Sequence, residues 1–128
     1  MNNNSNLYLL FSEAISASGD TDFLHVPHGP SLKYRDTDQA SGRFHAALAS
    51  LGVTKGDRVV VQVGKSIESV LLYLACLRIG AIYIPLNTAY TAAEVSYFID
   101  DAEPRVFICD PLAHASLGSV LHKKVAHI

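Results

Sequence analysis

The chain has 128 residues, of which 49% are hydrophobic and 17% are charged. This length suits one domain, and a composition this apolar predicts a folded chain rather than a disordered one. Ten basic against twelve acidic residues give a net charge of −2, so the chain lacks the basic surplus that nucleic acids and anionic membranes attract. We therefore expect no nucleic-acid and no membrane partner.

Hydrophobic periodicity and turn residues divide the chain into helices and strands. Near-continuous apolar runs predict strands covered on both faces, and apolar residues three and four apart predict helices. In chain order the predicted elements are a helix over 7–18, hairpin strands over 23–26 and 31–34, a helix ending near 51, a strand over 58–63, a helix capped at 66 and ending at 79, a strand over 81–85, a helix from 91 to about 101, a strand over 105–109, a helix ending near 121 and a strand beginning at 124.

Strands and helices that alternate through short links require parallel pairing with right-handed crossovers. The predicted fold class is therefore α/β, with a doubly wound, mainly parallel sheet and flanking helices, preceded by a helix and a short hairpin. We expect residues 1–128 to be a single domain. Because Lys124–Ile128 has the pattern of a strand that is only beginning, the sheet is expected to be incomplete.

Individual residues predict where the helices begin, end and pack. Asp36 or Thr37 is expected to cap the second helix, and Gly52 to follow its end. Thr91-Ala-Ala-Glu94 matches a capping box, in which the two outer side chains satisfy each other's free backbone N–H groups. The helical spacing places one apolar face on the first helix, formed by Leu7, Leu10, Phe11, Ala14 and Ile15.

The cysteines and the N-terminus favour a cytoplasmic protein. Cys76 and Cys109 are too few for a disulfide framework, and each lies in an apolar run that suits a buried free thiol. The run Leu7–Phe11 is too short for a signal peptide, and Val70–Leu77 is too short to span a membrane.

No motif by itself defines a catalytic centre. Gly64-Lys65-Ser66 follows a strand as a phosphate-binding loop would, but Val59 stands where that motif needs glycine, so an ordinary helix cap is expected. His25 and His28 share a turn without the third ligand of a zinc site. His114 follows a predicted strand, where parallel sheets place ligand-binding loops, although a solvated histidine is the simpler interpretation.

Read as a string, the chain from residue 7 onward resembles the N-terminal part of the adenylate-forming superfamily, which includes acyl-CoA synthetases. The strongest match is Leu77–Asn87, LRIGAIYIPLN, which resembles the block LxxGaxyvPLn of that superfamily. Upstream, SLKYRDTDQASGRFHAALASLG resembles its early strand and helix. The stretch LYLACLRIGAIYIPLNTAYTAAEVSYFIDDAEPR is most similar to malonyl-CoA synthetases.

This resemblance implies an enzyme that adenylates a carboxylate, with malonate the best guess, using ATP and Mg²⁺, and passes the acyl group to the CoA thiol. The family's phosphate loop, ribose-binding Asp, hinge and catalytic Lys lie further along its chains, so no catalytic or metal-binding residue is placed here. We expect this chain alone to be inactive and to bind none of the three cofactors tightly. The resemblance places Thr88, Ala89 and His114 on the CoA side, where relatives carry glycine and arginine.

A second hypothesis is a non-catalytic folding or interaction module. An unfinished sheet would expose an edge strand near Arg105–Cys109 or Lys124–Ile128, through which the chain could associate with itself. Pyrophosphate exchange with ATP and malonate, and a measurement of size in solution, separate the two hypotheses.

Overall fold

Helices alternate with strands through residues 5–121, 125 and 127, which the computed structural model describes. Apart from the start of the second helix, the bounds agree with the sequence prediction to within one residue. Among the described helices, none is long and apolar enough to cross a membrane. The elements are α1 (Leu7–Ser18), β1 (Asp22–His25), β2 (Ser31–Lys33), α2 (Tyr34–Ser50), β3 (Arg58–Gln62), α3 (Ile67–Ile79), β4 (Ile82–Pro85), α4 (Ala92–Ala102), β5 (Val106–Cys109) and α5 (Pro111–Leu121).

β3 is the central strand of a parallel three-stranded sheet with the order β4-β3-β5. On one side Arg58 lies opposite Ile82 of β4, and on the other side Gln62 lies opposite Cys109 of β5. β1 and β2 form a separate antiparallel hairpin. The predicted parallel pairing and the predicted hairpin are both confirmed.

Alternate residues of β3 pack into two separate cores. Val59 and Val61 pack with α2 and α3, whereas Val60 packs with α4 and α5. Neighbouring strands behave alike, since Val106 belongs to the first core and Phe107 to the second. Helices thus cover both faces of the sheet, which explains the continuous apolar run and confirms the doubly wound class.

The outer side of β5 pairs with the chain itself at one point. The Phe107 N–H donates to the His127 carbonyl at 3.0 Å, and Val106 forms a parallel bridge with the same residue. His127 therefore lies where the predicted strand Lys124–Ile128 would pair. Lys124, Ala126 and Ile128 themselves lie outside the described residues, so the rest of that strand stays a prediction.

The second helix begins earlier than predicted. α2 starts at Tyr34, and its N-cap is Lys33, whose side chain makes no capping hydrogen bond, so the prediction of Asp36 or Thr37 as the cap is wrong. The N–H groups of Tyr34 and Arg35 donate at 3.0 and 2.9 Å to backbone carbonyls of the segment between α1 and β1. Because tertiary contacts satisfy these first donors, the helix needs no capping side chain.

The buried face of α1 differs from the apolar face that the sequence predicts. Ile15 is buried as expected, but Leu10 is 64% exposed and Ala14 is exposed, whereas Tyr8 is buried. The Tyr8 hydroxyl donates to the Asp38 carboxylate of α2 at 2.6 Å. The helix is therefore oriented by a polar contact as well as by its apolar residues.

Arg78 of α3 completes this contact. Its Nη1 donates to the Tyr8 hydroxyl at 2.9 Å, the Asp38 carbonyl at 2.8 Å and the Ser41 hydroxyl at 3.1 Å. Its guanidinium carbon lies 4.8 Å from the centre of the Tyr8 ring. Burial and the hydrogen bond to Asp38 raise the pKa of Tyr8. These four residues, the Arg78 network, join the first three helices.

Gly80 ends α3 in the left-handed region, with φ +80°, and a Cβ added there would lie 3.1 Å from Lys55 Cγ. We expect Gly80→Ala to lower the free energy of unfolding by about 1–2 kcal/mol, because L-residues are strained at this φ. Gly64→Ala is the matched control, because a Cβ added at Gly64 would meet no described atom within 4 Å. We expect this substitution to change the free energy of unfolding by less than about 0.5 kcal/mol. Urea denaturation measures both, and equal losses would contradict the explanation.

Candidate functional site

A cleft of about 820 Å³ opens at the carboxyl edge of the sheet, beside the N-terminal ends of α4 and α5. β3 leads into α3 on one face and β5 leads into α5 on the other, so the chain diverges there. Such a topological switch point is where doubly wound sheets bind ligands, and the volume suits a small molecule. The residues lining this carboxyl-edge cleft are Gln62, Thr88, Tyr90, Thr91, Ala92, Asp110, Pro111, Leu112, Ala113, Ser116 and Leu117.

The loop after β4 is folded around Asn87. The Asn87 Oδ1 accepts a hydrogen bond from the Ala89 N–H at 2.9 Å, and its carbonyl accepts one from the Tyr90 N–H at 3.1 Å. Gln62 Nε2 donates to the same carbonyl at 3.0 Å. These bonds hold the loop against the end of β3 and bring Thr88 and Tyr90 to the cleft.

Gln62 is a buried polar residue at the end of an apolar strand, with 2% of its surface exposed. Its orientation follows from its partner, because only the nitrogen of the side-chain amide can donate to the Asn87 carbonyl. Within the described part of the chain, no group donates to Gln62 Oε1. Buried amide oxygens usually accept a hydrogen bond, so this cleft-lining residue carries unused acceptor capacity.

Aromatic packing shapes another part of the cleft. The rings of Tyr90 and Phe98 stack with centroids 5.3 Å apart and planes 21° apart, and Tyr97 meets Phe98 edge-on at 5.6 Å. Tyr90 keeps 36% of its surface exposed. The Tyr90 ring is thus fixed by its stacking on Phe98, and its exposed part offers an apolar surface for contact with a ligand.

The charge of the cleft is acidic. Among the described residues that line it, Asp110 is the charged one, and there is no Lys, Arg or His. At the start of α4, the Glu94 carboxylate accepts hydrogen bonds from the Thr91 N–H at 2.7 Å and the Thr91 hydroxyl at 3.0 Å. This predicted capping box is confirmed. The charged group in the described lining is therefore a carboxylate, and Glu94 supplies another carboxylate at the start of α4, outside that lining.

The capping box makes stability depend on pH. The backbone and side-chain hydrogen bonds from Thr91 hold the pKa of Glu94 below its usual 4.5. This carboxylate therefore stabilises the folded state above pH 4.5, and that contribution is lost as the pH falls through the lowered pKa. We expect Glu94→Gln to lower the melting temperature at neutral pH, with a difference that shrinks on acidification. Thermal denaturation from neutral to acidic pH tests this, and a constant difference would contradict it.

The residues expected on the CoA side lie at this edge of the sheet in different settings. Thr88 lines the cleft. Ala89 follows it in the loop held by Asn87, outside the lining that the described residues form. His114 is half-buried on α5, where its N–H donates to the Asp110 carbonyl at 2.9 Å, and it also lies outside that lining. The structure thus brings one of the three side chains to the cleft.

The other candidate motifs have local structural contacts. Ser66 caps α3, and Ser66 and Ser69 cap each other reciprocally, so the expected helix cap at Gly64-Lys65-Ser66 is confirmed. In the hairpin, His25 Nδ1 lies 2.7 Å from the Ser31 hydroxyl. Sequence reasoning missed Gln62 as a cleft residue, although a polar side chain that ends an otherwise apolar strand is a usable signal.

The chain is a doubly wound α/β domain, and its carboxyl-edge cleft has the geometry of a small-molecule site. Comparison with known proteins identifies the family to which this domain belongs. Residues 11–128 match the family described as AMP-binding enzyme. The chain belongs to that family.

The chain is 41% identical over 80 residues to 3-hydroxybenzoate--CoA/4-hydroxybenzoate--CoA ligase of Thauera aromatica, which covers 62% of this chain and 15% of the relative. It is 31% identical over 107 residues to acyl-CoA ligase sidI of Aspergillus fumigatus, which covers 82% of this chain and 18% of the relative. The crystal structure of apo MatB from Rhodopseudomonas palustris matches with a TM-score of 0.86 and 34% identity, over 98% of this chain and 25% of that chain.

The chain thus spans less than a fifth of these curated relatives and a quarter of the matched crystal structure. The family match and these relatives confirm the predicted resemblance to the N-terminal part of an adenylate-forming acyl-CoA synthetase.

Proposed function

We propose that residues 1–128 form the N-terminal part of the large domain of an ATP-dependent acyl-CoA synthetase. Such an enzyme joins a carboxylate to the α-phosphate of ATP and releases pyrophosphate, and the CoA thiol then displaces AMP to give the thioester. The observation that carries this proposal is the family match over residues 11–128. CoA ligases among the relatives support it, as does the structure of ATP-bound MatB, which matches with 35% identity and a TM-score of 0.86.

Malonate is the carboxylate that we propose. The support is the similarity of residues 72–105 to malonyl-CoA synthetases, a stretch that contains β4, the loop around Asn87 and α4. The reducing cytoplasm is the proposed location, in keeping with Cys76, a buried free thiol whose pKa burial raises to about 11.

We further propose that the carboxyl-edge cleft lies on the CoA side, with Thr88 and Ala89 in its loop and His114 on the adjoining helix. The support is the position of the cleft at a switch point of the sheet. Within the described residues, no three His, Cys, Asp or Glu side chains are grouped to hold a metal ion. We therefore assign no step through Mg²⁺ or the ATP phosphates to this chain, and we expect the 128 residues alone to be inactive.

The protein as its gene encodes it should convert malonate, ATP and CoA to malonyl-CoA, AMP and pyrophosphate in equal amounts. Acetate, benzoate and a medium-chain fatty acid serve as competing substrates, and we expect kcat/KM to be at least about tenfold higher for malonate. Preference for another acid would overturn the malonate proposal alone. Absence of carboxylate-dependent pyrophosphate exchange with every acid would overturn the enzyme class, and exchange by the 128 residues alone would overturn their expected inactivity.

Self-association through a sheet edge is the alternative function. It is favoured less, because β5 already pairs with His127 of the same chain at one point. Sedimentation of the 128-residue chain tests it, since the interaction module requires a dimer or larger species whereas the synthetase proposal does not.

A further inference from the structure

We propose that the carboxyl-edge cleft binds an uncharged, N–H-bearing part of its ligand through Gln62 Oε1, rather than the phosphate groups of that ligand. The choice of ligand rests on the proposed synthetase function. CoA has two parts of this chemistry, the amides of its pantetheine arm and the amino group of its adenine. Both offer an N–H donor on a group without charge.

The orientation of Gln62 decides which atom of its amide is left without a partner. Its side chain lies on the same face of β3 as Val60, which belongs to the core beneath α4 and α5, because strand residues two apart share a face. Its Nε2 is committed to the Asn87 carbonyl at 3.0 Å. The amide therefore cannot turn round without losing that bond, and its unpaired oxygen is a buried atom of a residue that lines the cleft.

The charges around the cleft favour an uncharged donor over a phosphate group. A phosphate group is most often bound by Arg or Lys side chains, whose positive charge matches its negative charge. The described lining instead contains Asp110 and no cation. At the start of α4 the Glu94 carboxylate already occupies the Thr91 N–H at 2.7 Å. A carboxylate and an unpaired amide oxygen attract a donor and repel phosphate.

The apolar part of the lining offers contact surface to an uncharged part of the ligand. Tyr90, fixed by its stacking on Phe98, lines the cleft together with the apolar residues Leu112 and Leu117. An amide arm or a purine ring can lie against such surfaces beside Gln62. Since Gln62 also holds the loop that carries Thr88 and Tyr90, it is a positioning residue as well as a ligand contact.

Pairs of probes that differ in the N–H donor test the proposal on the unaltered protein. Adenosine is compared with purine riboside, which lacks the amino group, and pantetheine with its analogue in which ester oxygens replace the amide N–H groups. We expect the donor to improve the Kd about 5- to 30-fold in one of the two pairs, because it satisfies an otherwise unpaired buried acceptor. The pair that shows this improvement in Kd identifies which part of CoA, adenine or pantetheine, binds in the cleft. Calorimetry of the full gene product measures each Kd.

The variant Gln62→Met removes the acceptor while keeping a side chain of similar size. We expect the preference for the donor probe to fall below about twofold, as a double-mutant cycle requires when both partners make one interaction. Loosening of the loop would weaken both probes of a pair equally and would leave their ratio unchanged. Gln39→Met, at an exposed position of α2, is the matched control and should keep the wild-type preference.

Absence of a donor preference in both pairs, or a preference that survives in Gln62→Met, would overturn the proposal. Tighter binding of adenosine 3′,5′-bisphosphate than of either uncharged probe, with loss of that advantage in Gln62→Met, would also overturn it. Failure of the proposed synthetase function has a separate signature, because thioester formation would then be absent whatever these binding ratios show.

Discussion

Phe107→Ala should lower the free energy of unfolding by about 3–5 kcal/mol. Phe107 lies on β5, is 0% exposed, and packs in the core between the sheet, α4 and α5. Truncation removes the contacts of a whole ring and leaves a cavity that close-packed neighbours fill only in part. Because small domains are stable by about 5–15 kcal/mol, the variant should approach the limit of folding at 37 °C.

Leu112→Ala provides the matched control, because Leu112 lies five positions along the chain and is 87% exposed. We expect Leu112→Ala to change the free energy of unfolding by less than about 0.5 kcal/mol. Urea denaturation followed by circular dichroism measures both variants. A loss below about 1 kcal/mol for Phe107→Ala would show that this core is loosely packed.

Arg78→Met should produce the second-largest loss in the free energy of unfolding, about 2–3 kcal/mol. The substitution removes the donor shared by the Tyr8 hydroxyl, the Asp38 carbonyl and the Ser41 hydroxyl, and it leaves buried polar atoms with fewer partners. Methionine keeps much of the aliphatic packing, so the loss reports mainly on the polar contacts. Arg43→Met, at an exposed position of α2, is the control and should cost below about 0.5 kcal/mol.

Hydrogen exchange locates the consequence of this substitution. The Arg78 network joins α1 to the rest of the domain, so amide exchange in α1 should accelerate more than exchange in β3. Acceleration spread evenly over both elements would mean that the network does not hold α1 specifically.

Most of the fold could be predicted because its signals are local. The apolar run of β3 reflects cover on both faces of the sheet, and Thr91 with Glu94 specifies the start of α4 within four residues. The failures involve distant partners. The start of α2 depends on carbonyls supplied by the segment before β1, and the buried face of α1 depends on Arg78, seventy residues beyond Tyr8.

The candidate site was predictable in place but not in detail. The order of strands and helices puts loops at the carboxyl edge of the sheet, and Thr88 lies in the cleft there. The importance of Gln62 depends on the direction of one amide, which is set by Asn87, twenty-five residues away. Strand periodicity specifies the face on which a side chain lies, but it does not specify its hydrogen-bond partner.

The proposal that the carboxyl-edge cleft faces CoA in an acyl-CoA synthetase is tested most directly by hydrogen exchange with and without saturating CoA. We expect CoA to slow amide exchange in the loop over 86–91 and at the start of α5, while exchange in the hairpin of β1 and β2 stays unchanged. Unchanged exchange in both cleft segments, in a protein that forms an acyl-CoA thioester under the same conditions, would contradict the claim.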